Sequence, residues 1–352
     1  MRAILYDAFG ATPRLVDVPA PEPSAAGVVV CVETTGLCRS DLFGWQGKDK
    51  DIVLPHVPGH ELVGTIARVG PEVSRFRVGQ RVTVPFVCAC GHCPECDRGQ
   101  GQVCRNQTQP GFTHWGSYAE EVAIHNADLN LIAVPDDVDG GAAALLGCRF
   151  ATAFHGLTNQ GKLQPGETLL VVGCGGVGLS AVMIGVALGA RVIGADIAPA
   201  ALERARRFGA ETIESTGLSR TEVLHAIRRR APEGVNVSVE ALGREETVAT
   251  AISALGIQGR HVQIGLLAED PRIPMPAVVA KELAVLGSHG MAAHGYPALL
   301  DLIAAGTLRP QDLIETRISL AEVPATMESM RAGTWAGGVT VIDIAPALAR
   351  AV

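Results

Sequence analysis

Short runs of apolar residues, most of them ended by glycine or proline, dominate the first third of the chain. The runs are four to seven residues long and lie at positions 3–6, 28–32, 63–69 and 81–84. Valine and isoleucine are frequent in them, as is typical of β-strands, and the glycines and prolines between them mark turns. Many short strands with frequent turns predict a small β-barrel-like domain.

The pattern changes near residue 140, where an alanine-rich segment predicts a helix. From residue 168 onward, strand-like apolar runs alternate with longer segments of helical period, which predicts a parallel sheet covered by helices. The predicted strands are 169–172, 190–195, 235–240, 259–264 and 283–286, and the predicted helices are 177–188 and 199–208. A helix at 296–305 and a strand at 339–344 follow, and their pattern does not assign them to either part.

The composition is that of a compact protein with two domains. The chain has 352 residues, of which 47% are hydrophobic and 18% are charged, enough for two cores. The formal charge is −7, and no run of Lys or Arg is longer than residues 228–230. Nucleic-acid binders usually carry a basic face, so these values argue against a nucleic-acid partner.

Neither a signal peptide nor a membrane span is predicted. The N-terminus has the pattern of a first strand and lacks the long apolar segment of a signal peptide. The most apolar window, residues 179–195, is interrupted by Gly185, Gly189 and Arg191 and is too short to cross a bilayer. We therefore expect a cytoplasmic protein without a membrane partner.

Nine cysteines are present, and in a chain of this size and predicted location metal binding explains them better than disulfides. Cys90, Cys93, Cys96 and Cys104 follow the spacing C-x2-C-x2-C-x7-C. Four thiolates at this spacing predict a closed, structural zinc site. An iron–sulfur cluster at similar spacing and free cysteines in a loop are the alternatives. Cys88 lies two residues before the group and is not predicted to be a ligand.

A second candidate metal site is dispersed along the chain and consists of Cys38, His60 and Cys148. Three such ligands leave a fourth tetrahedral position for water or substrate, as catalytic zinc requires. Asp41 is placed to accept the free N–H of His60, and Glu61 to lie behind the ligands or to act as a transient fourth ligand. Taken singly, a Cys or His is more often a packed core residue than a ligand.

Ser40 lies two residues after the first proposed ligand. Its hydroxyl is a candidate to take the proton of an alcohol at the metal and pass it on. Without the metal, the expected role of a hydroxyl in such a turn is to cap the backbone.

A glycine-rich turn of the form G-x-G-x-x-G lies at 173–178, after an apolar strand and before a helix. The motif is weak by itself, but this position predicts dinucleotide binding, since the pyrophosphate would meet N–H groups at the helix start. Asp196 lies 23 residues after Gly173, where its carboxylate would bind the adenosine ribose and repel a 2′-phosphate. The candidate cofactor-binding residues of the turn are Gly173, Gly175, Gly176, Val177 and Gly178.

Together these residues make the chain resemble the zinc-dependent medium-chain dehydrogenases/reductases, in their alcohol dehydrogenase branch. The resemblance runs nearly from end to end. It rests on Gly59-His60-Glu61-Leu62-Val63-Gly64, the four-cysteine segment, Leu146-Gly147-Cys148 and the glycine turn. The combination is far more specific than any one of these motifs.

The resemblance implies an α/β protein with a Rossmann domain, which is a doubly wound parallel sheet, and a GroES-like β-rich catalytic domain. The catalytic domain would be formed by residues 1–152 and 291–352, with a structural zinc lobe at 88–105. The Rossmann NAD-binding domain would be formed by residues 153–290. Two zinc ions per chain, NAD as cofactor and a homodimer or homotetramer are also implied.

The resemblance further assigns roles to individual residues. It implies Cys38, His60 and Cys148 as ligands of the catalytic zinc, with Glu61 beside them and Ser40 as the relay hydroxyl. The implied cofactor contacts are Arg39 at the pyrophosphate, Thr152 and Val177 at the nicotinamide ring, Arg244 near the adenine, and Gly265, Leu266 and Ser288 at the carboxamide. The implied walls of the substrate pocket are Trp45, Phe86 and Trp115.

Three positions depart from familiar members of that family. Five residues after Cys38, several alcohol dehydrogenases have a histidine that ends the proton relay, whereas this chain has Phe43. Five residues after Asp196, where some members have a lysine, it has Ala201, and residues 336–338 lack the arginine often found at the pyrophosphate. The exit route of the proton is therefore open, and weaker or faster-exchanging cofactor binding is expected.

The sequence thus predicts a zinc-dependent alcohol dehydrogenase that uses NAD and acts on a small alcohol or carbonyl compound. The nearest alternative is an enzyme of the same scaffold that works mainly as an aldehyde or ketone reductase and accepts NADPH. A polyol dehydrogenase is less favoured, because many of these replace the third Cys ligand by Glu and lack the four-cysteine lobe. A non-catalytic zinc-ribbon binding protein and a catalytically silent family member are more distant alternatives.

Overall fold

The computed structural model describes residues 1–335 and 338–344, and the chain divides into two compact units. Unit 1 consists of Met1–Ala151, Gly290–Leu300 and Arg309–Val352, and unit 2 of Thr152–His289 and Asp301–Leu308. The chain passes between the units after residues 151 and 289, one residue before each of the boundaries expected at 152 and 290. Residues 301–308 group with unit 2, whereas the sequence placed them in the catalytic domain. Residues 336 and 337, at the expected site of a missing arginine, lie outside the described residues.

The described residues form fifteen strands and twelve α-helices. The strands are β1 (Arg2–Leu5), β2 (Arg14–Asp17), β3 (Val28–Leu37), β4 (Leu62–Val69), β5 (Arg81–Thr83), β6 (Glu121–Ile124), β7 (Ile132–Ala133), β8 (Thr168–Val172), β9 (Arg191–Asp196), β10 (Glu211–Glu214), β11 (Val235–Glu240), β12 (Leu255–Gln263), β13 (Ala284–Gly287), β14 (Ile314–Ser319) and β15 (Val339–Asp343). The helices are α1 (Arg39–Trp45), α2 (Pro94–Asp97), α3 (Ala127–Asn130), α4 (Gly140–Leu145), α5 (Arg149–His155), α6 (Gly176–Ala187), α7 (Pro199–Arg207), α8 (Arg220–Arg230), α9 (Glu245–Ser253), α10 (Met275–Ala280), α11 (Tyr296–Ala304) and α12 (Val323–Arg331). Within the described part of the chain, no helix combines the length and the apolar character needed to cross a membrane.

Unit 1 is built on a seven-stranded sheet with the order β14-β15-β3-β4-β5-β7, in which β6 also pairs with β3. All neighbours in it are antiparallel except β14 and β15. The ten-residue strand β3 is its centre, and nearly all of its residues are buried. Because β15 pairs with β3, this late strand belongs to the β-rich part, an assignment that the sequence pattern left open.

Unit 2 is built on a six-stranded sheet with the order β10-β9-β8-β11-β12-β13, and every neighbouring pair is parallel. The order runs outward in both directions from β8 and β11, as in a doubly wound sheet. Strand β8 reads Thr-Leu-Leu-Val-Val and is buried along four of its five residues, as expected for a central parallel strand. The prediction of one Rossmann sheet and one β-rich domain is thereby confirmed.

Candidate functional site

Four residues of unit 1 bring possible metal-ligand atoms together: Cys38, His60, Glu61 and Cys148. These atoms all lie within 4.8 Å of one another. Each residue lies next to the end of a strand or helix. Cys38 lies between β3 and α1, His60 and Glu61 directly precede β4, and Cys148 directly precedes α5. The sheet thus unites residues that are far apart in the sequence.

The orientation of His60 is set by a turn that requires glycine. Gly59 has a φ of +107°, and a Cβ there would lie 2.5 Å from the Tyr118 ring. The His60 Nδ1–H donates to Asp41 Oδ1 at 3.0 Å, and since a carboxylate can only accept, the lone pair of the neutral ring is on Nε2. Nε2 is buried and has no hydrogen-bond partner.

These surroundings fit a metal ion. Buried polar atoms are rarely left unsatisfied, and a metal bond would satisfy His60 Nε2. A hydrogen bond from the Cys148 thiol lowers the pKa of Cys38 well below its usual value despite burial. The same bond raises the pKa of Cys148, and a bound dication would favour the thiolate form of both residues. Two sulfurs and one imidazole nitrogen are the donors that zinc prefers.

Asp41 is the group that holds this arrangement together. Besides His60, its carboxylate accepts hydrogen bonds from Gly59 N–H at 3.0 Å, Tyr118 O–H at 2.7 Å and Cys38 N–H at 3.1 Å. The sequence correctly paired Asp41 with His60 but did not indicate Tyr118, which lies 77 residues further along the chain.

Glu61 is engaged by a residue that the sequence analysis missed. Arg149 Nε donates to both Glu61 oxygens at 2.9 and 3.0 Å, and Arg149 Nη2 donates to Oε2 at 2.6 Å and to Leu37 O at 2.8 Å. Both side chains are buried. The Glu61 carboxylate has room in this position because residue 36 is glycine, since a Cβ there would lie 2.0 Å from Glu61 Oε2. The only signal in the sequence was a basic residue directly after Cys148.

Two phenylalanines flank the His60 ring. The ring centroid of Phe112 lies 5.1 Å from it and that of Phe86 lies 6.1 Å from it. The prediction for Trp45 is wrong, because this side chain is fully buried in the core of unit 1 and its Nε1–H donates to Ala11 O at 2.6 Å. Trp115 packs partly buried against the same core, with its Nε1–H donating to Pro55 O.

Ser40 lies in the first turn of α1, with its Oγ 3.7 Å from Cys38 Sγ. The structure therefore brings the predicted relay hydroxyl next to a proposed ligand. Phe43, where a second relay group was expected, lies under the Lys48 ammonium at 4.8 Å. Its ring offers no site for a proton.

The four cysteines of the predicted structural site also converge. Their donor atoms all lie within 4.8 Å of one another, and Cys93 Sγ is 3.4 Å from Cys96 Sγ and 3.6 Å from Cys104 Sγ. Although burial opposes ionisation, the His92 backbone N–H and the neighbouring thiols lower the pKa of Cys90 to about 6. Four sulfurs so arranged close a tetrahedral site completely.

The glycine turn of unit 2 has the geometry of a phosphate-binding loop. Gly173 has a φ of +93°, and a Cβ on Gly178 would lie 1.7 Å from Gly173 O. Gly175 precedes α6, whose first residues are Gly176, Val177 and Gly178. The loop therefore presents backbone N–H groups at a helix start. Asp196 ends β9, and its carboxylate accepts from Cys174 N–H at 2.6 Å, so it lies beside the turn.

The other predicted cofactor residues of unit 2 follow the carboxyl ends of its strands, with one exception. Arg244 lies after β11, Gly265 and Leu266 after β12, and Ser288 after β13. The exception is Thr152, which lies in α5 and whose carbonyl accepts from Ser288 Oγ at 3.4 Å. Arg39 belongs to unit 1, where it is exposed at the start of α1.

Two family models match the chain. Residues 24–136 match the alcohol dehydrogenase GroES-like domain, and residues 176–305 match the zinc-binding dehydrogenase model. The first range contains the four-cysteine group and three of the four donors of the other site, Cys38, His60 and Glu61, and the second contains residues 176–178 of the glycine turn and Asp196.

Individual relatives are similar over nearly the whole chain. An L-threonine 3-dehydrogenase of Sinorhizobium medicae (strain WSM419) is 30% identical over 331 residues, covering 93% of this chain and 94% of that protein. An alcohol dehydrogenase of Geobacillus stearothermophilus is 31% identical over 293 residues, covering 82% and 84%. The solved structure of alcohol dehydrogenase TADH from Thermus sp. ATN1 has a TM-score of 0.89 and 30% identity, covering 98% of this chain and 100% of that chain.

Proposed function

The chain belongs to the zinc-dependent medium-chain dehydrogenases/reductases of the alcohol dehydrogenase type, and we propose that it transfers a hydride between an alcohol and NAD. As a member of this family it is an oxidoreductase with a small-molecule substrate. The observation that carries the proposal is the buried, unpaired Nε2 of His60 among the donor atoms of Cys38 and Cys148.

Cys38, His60 and Cys148 would hold the catalytic zinc through two sulfurs and Nε2, leaving one position for the substrate oxygen. Bound there, zinc would act as a Lewis acid that lowers the pKa of an alcohol hydroxyl. Glu61 lies within the same set, but both of its oxygens are bonded to Arg149, so its service as a further ligand requires this salt bridge to open. A second, structural zinc would be held by Cys90, Cys93, Cys96 and Cys104.

The protein's own groups would then handle the proton. Ser40 Oγ, beside Cys38, would take the proton of the substrate hydroxyl. Because Phe43 offers no acceptor, the proton would pass from Ser40 to water. Asp41 would keep the proton on His60 Nδ1 and fix the ring. Phe86 and Phe112 would pack against the carbon skeleton of the substrate.

Unit 2 would bind the cofactor, and NAD would accept the hydride there. The turn at 173–178 would bind the pyrophosphate through its N–H groups, and Asp196 would bind the ribose and disfavour the 2′-phosphate of NADP. The further contacts proposed are Arg39 at the pyrophosphate, Thr152 and Val177 at the nicotinamide, Arg244 at the adenine, and Gly265, Leu266 and Ser288 at the carboxamide.

We also propose a homodimer or homotetramer. Strand β13 is an edge of the parallel sheet, and an unpaired edge can accept a strand from another chain. Apolar side chains near this edge are exposed, among them Val285 on β13 and Val279 and Met275 on α10.

A cytoplasmic location would suit the nine cysteines, none of which forms a disulfide.

A second candidate function is the oxidation of L-threonine at its hydroxyl-bearing carbon. It is supported by several relatives named L-threonine 3-dehydrogenase at 28% to 30% identity. A preference for reducing aldehydes or ketones on the same scaffold is a third. A zinc-ribbon binding protein is disfavoured, because it would leave the match of both family models unexplained.

A substrate panel separates these candidates. Initial rates would be measured with primary, secondary, aromatic and terpenoid alcohols and with L-threonine, using NAD and NADP, and in reverse with aldehydes and ketones. We expect alcohol oxidation with NAD, with L-threonine a poor substrate. Turnover confined to L-threonine would favour the second candidate, and protein loaded with zinc but inactive on every compound would contradict hydride transfer as its function.

A further inference from the structure

Unit 2 contains a buried carboxylate that the proposed chemistry does not use. Glu240 ends β11 and is 0% exposed. Its Oε1 accepts from Leu242 N–H at 3.0 Å, Gly243 N–H at 3.0 Å and Thr247 O–H at 2.7 Å. Its Oε2 accepts from Gly243 N–H at 2.9 Å and Gln263 Nε2–H at 2.6 Å. All four donors are neutral, so hydrogen bonds alone offset the cost of burying this charge.

These bonds join two loops that are separate in the sequence. We call residues 241–244, between β11 and α9, loop A, and residues 264–266, after β12, loop B. Gln263 is the register partner of Glu240 on the neighbouring strand, and its Nε2–H also donates to Gly265 O at 2.7 Å. The Glu240 carbonyl accepts from Ile264 N–H at 3.0 Å and Gly265 N–H at 2.9 Å. The Glu240 side chain therefore holds loop A directly and is linked to loop B through Gln263. The Glu240 backbone carbonyl holds loop B as well.

The two loops are in backbone contact. A Cβ on Gly243 would lie 2.0 Å from Leu266 O, and a Cβ on Gly265 would lie 2.2 Å from Gly243 N. Loop A also packs on the glycine turn, because a Cβ on Gly173 would lie 2.5 Å from Leu242 Cγ. The positions of all three loops thus depend on one another, and the carboxylate of Glu240 lies where loops A and B meet.

We propose that Glu240 is a positioning residue for the dinucleotide, and the proposal rests on the NAD site described above. Loop A carries Arg244, assigned to the adenine end of the cofactor, and loop B carries Gly265 and Leu266, assigned to the carboxamide end. Glu240 sets the spacing of the loops, so the two ends of one cofactor are bound together without rearrangement. Fixing a site in its binding geometry raises affinity because less ordering remains to be done on binding.

The variant Glu240→Gln tests this role. It keeps the shape of the side chain but replaces one acceptor oxygen by an N–H donor, which then faces Gly243 N–H, Thr247 O–H or Gln263 Nε2–H. We expect the Kd for NADH, from fluorescence titration of the zinc-loaded protein, to rise at least about tenfold. The KM for NAD should rise by a similar factor while kcat at saturating NAD stays within about twofold, because no reacting group is changed.

Glu246→Gln is the matched control, since Glu246 is an exposed carboxylate on α9 of the same unit, and it should leave the Kd unchanged. Gln263→Met removes the amide that donates to Glu240 and Gly265, together with its contact to His261 Nε2 at 3.1 Å, and should give an intermediate Kd. It also carries the test if Glu240→Gln does not fold. The exchange Glu240→Gln with Gln263→Glu restores a donor–acceptor pair between the loops and should recover part of the affinity, which a merely structural role would not predict.

NADH affinity within about twofold of wild type in both Glu240→Gln and Gln263→Met would overturn the positioning role alone. Wild-type protein that binds neither NADH nor NADPH would instead remove the cofactor site itself, and the positioning role with it. The two failures are therefore distinguishable in one set of titrations.

Discussion

Replacing Arg149 by methionine leaves Glu61 buried without its cation. Glu61 is 0% exposed, and the change removes the N–H donors at 2.9, 3.0 and 2.6 Å that hold its carboxylate, together with the bond to Leu37 O. Methionine fills most of the space of the arginine stem, so the loss is electrostatic rather than a cavity.

The magnitude follows from the burial of both partners. Removing one member of a buried ion pair costs about 3–5 kcal/mol, because the remaining charge has lost its compensation. For a unit of this size the urea m-value is roughly 2–3 kcal/mol per M, so the unfolding midpoint should fall by roughly 1–2 M. The double variant Arg149→Met with Glu61→Gln removes the stranded charge and should regain at least about half of the loss.

Urea unfolding followed by tryptophan fluorescence measures the right part of the molecule, since Trp45, Trp115 and Trp335 are the three tryptophans and all belong to unit 1. Zinc content must be equal in the proteins compared. Arg309→Met is the control, because the Arg309–Asp312 pair of unit 1 is solvent-exposed and should not move the midpoint. If the urea midpoint of Arg149→Met falls by less than about 0.3 M, the shift is far smaller than a stranded buried charge would cause. That result would refute the reasoning.

Three further changes have expected outcomes. Asp196→Ala should raise the ratio of kcat/KM with NADP to kcat/KM with NAD. An unchanged ratio would count against a role of Asp196 at the ribose. Gly178→Ala puts a Cβ 1.7 Å from Gly173 O and should abolish NADH binding in a titration while zinc content stays the same. Burial, aided by His125, lowers the pKa of His114 to about 4. Unfolded His114 takes up a proton below about pH 6.5, so the stability of unit 1 should fall between pH 6.5 and 4, and His114→Gln should flatten that slope in urea melts.

Both folds could be predicted because their signals are local. Strand β8, the glycine turn and Asp196 lie within 30 residues, and each fits the period of the element that carries it. Strand β14 was not predicted, because its sequence Ile-Glu-Thr-Arg-Ile-Ser has only two apolar residues. Its place depends on parallel pairing with β15, a contact that local periodicity does not encode.

The metal donors could be predicted from residue type, but their neighbours could not. Cysteine and histidine are uncommon enough that Cys38, His60 and Cys148 stand out in the sequence. Arg149 and Phe112 are of ordinary type, and only the fold brings them against Glu61 and His60. Trp45, which the resemblance implied as a pocket wall, is instead buried in the core of unit 1, although it lies on the helix that begins directly after Cys38.

The zinc content of the purified chain tests the central claim most directly. Elemental analysis of wild-type protein should give two zinc ions per chain, and His60→Ala should give one while the NADH titration is unchanged, because the four-cysteine site keeps its metal and unit 2 is untouched. Two zinc ions retained in His60→Ala, or only one in the wild type, would contradict the assignment of the unpaired His60 Nε2 to a catalytic metal.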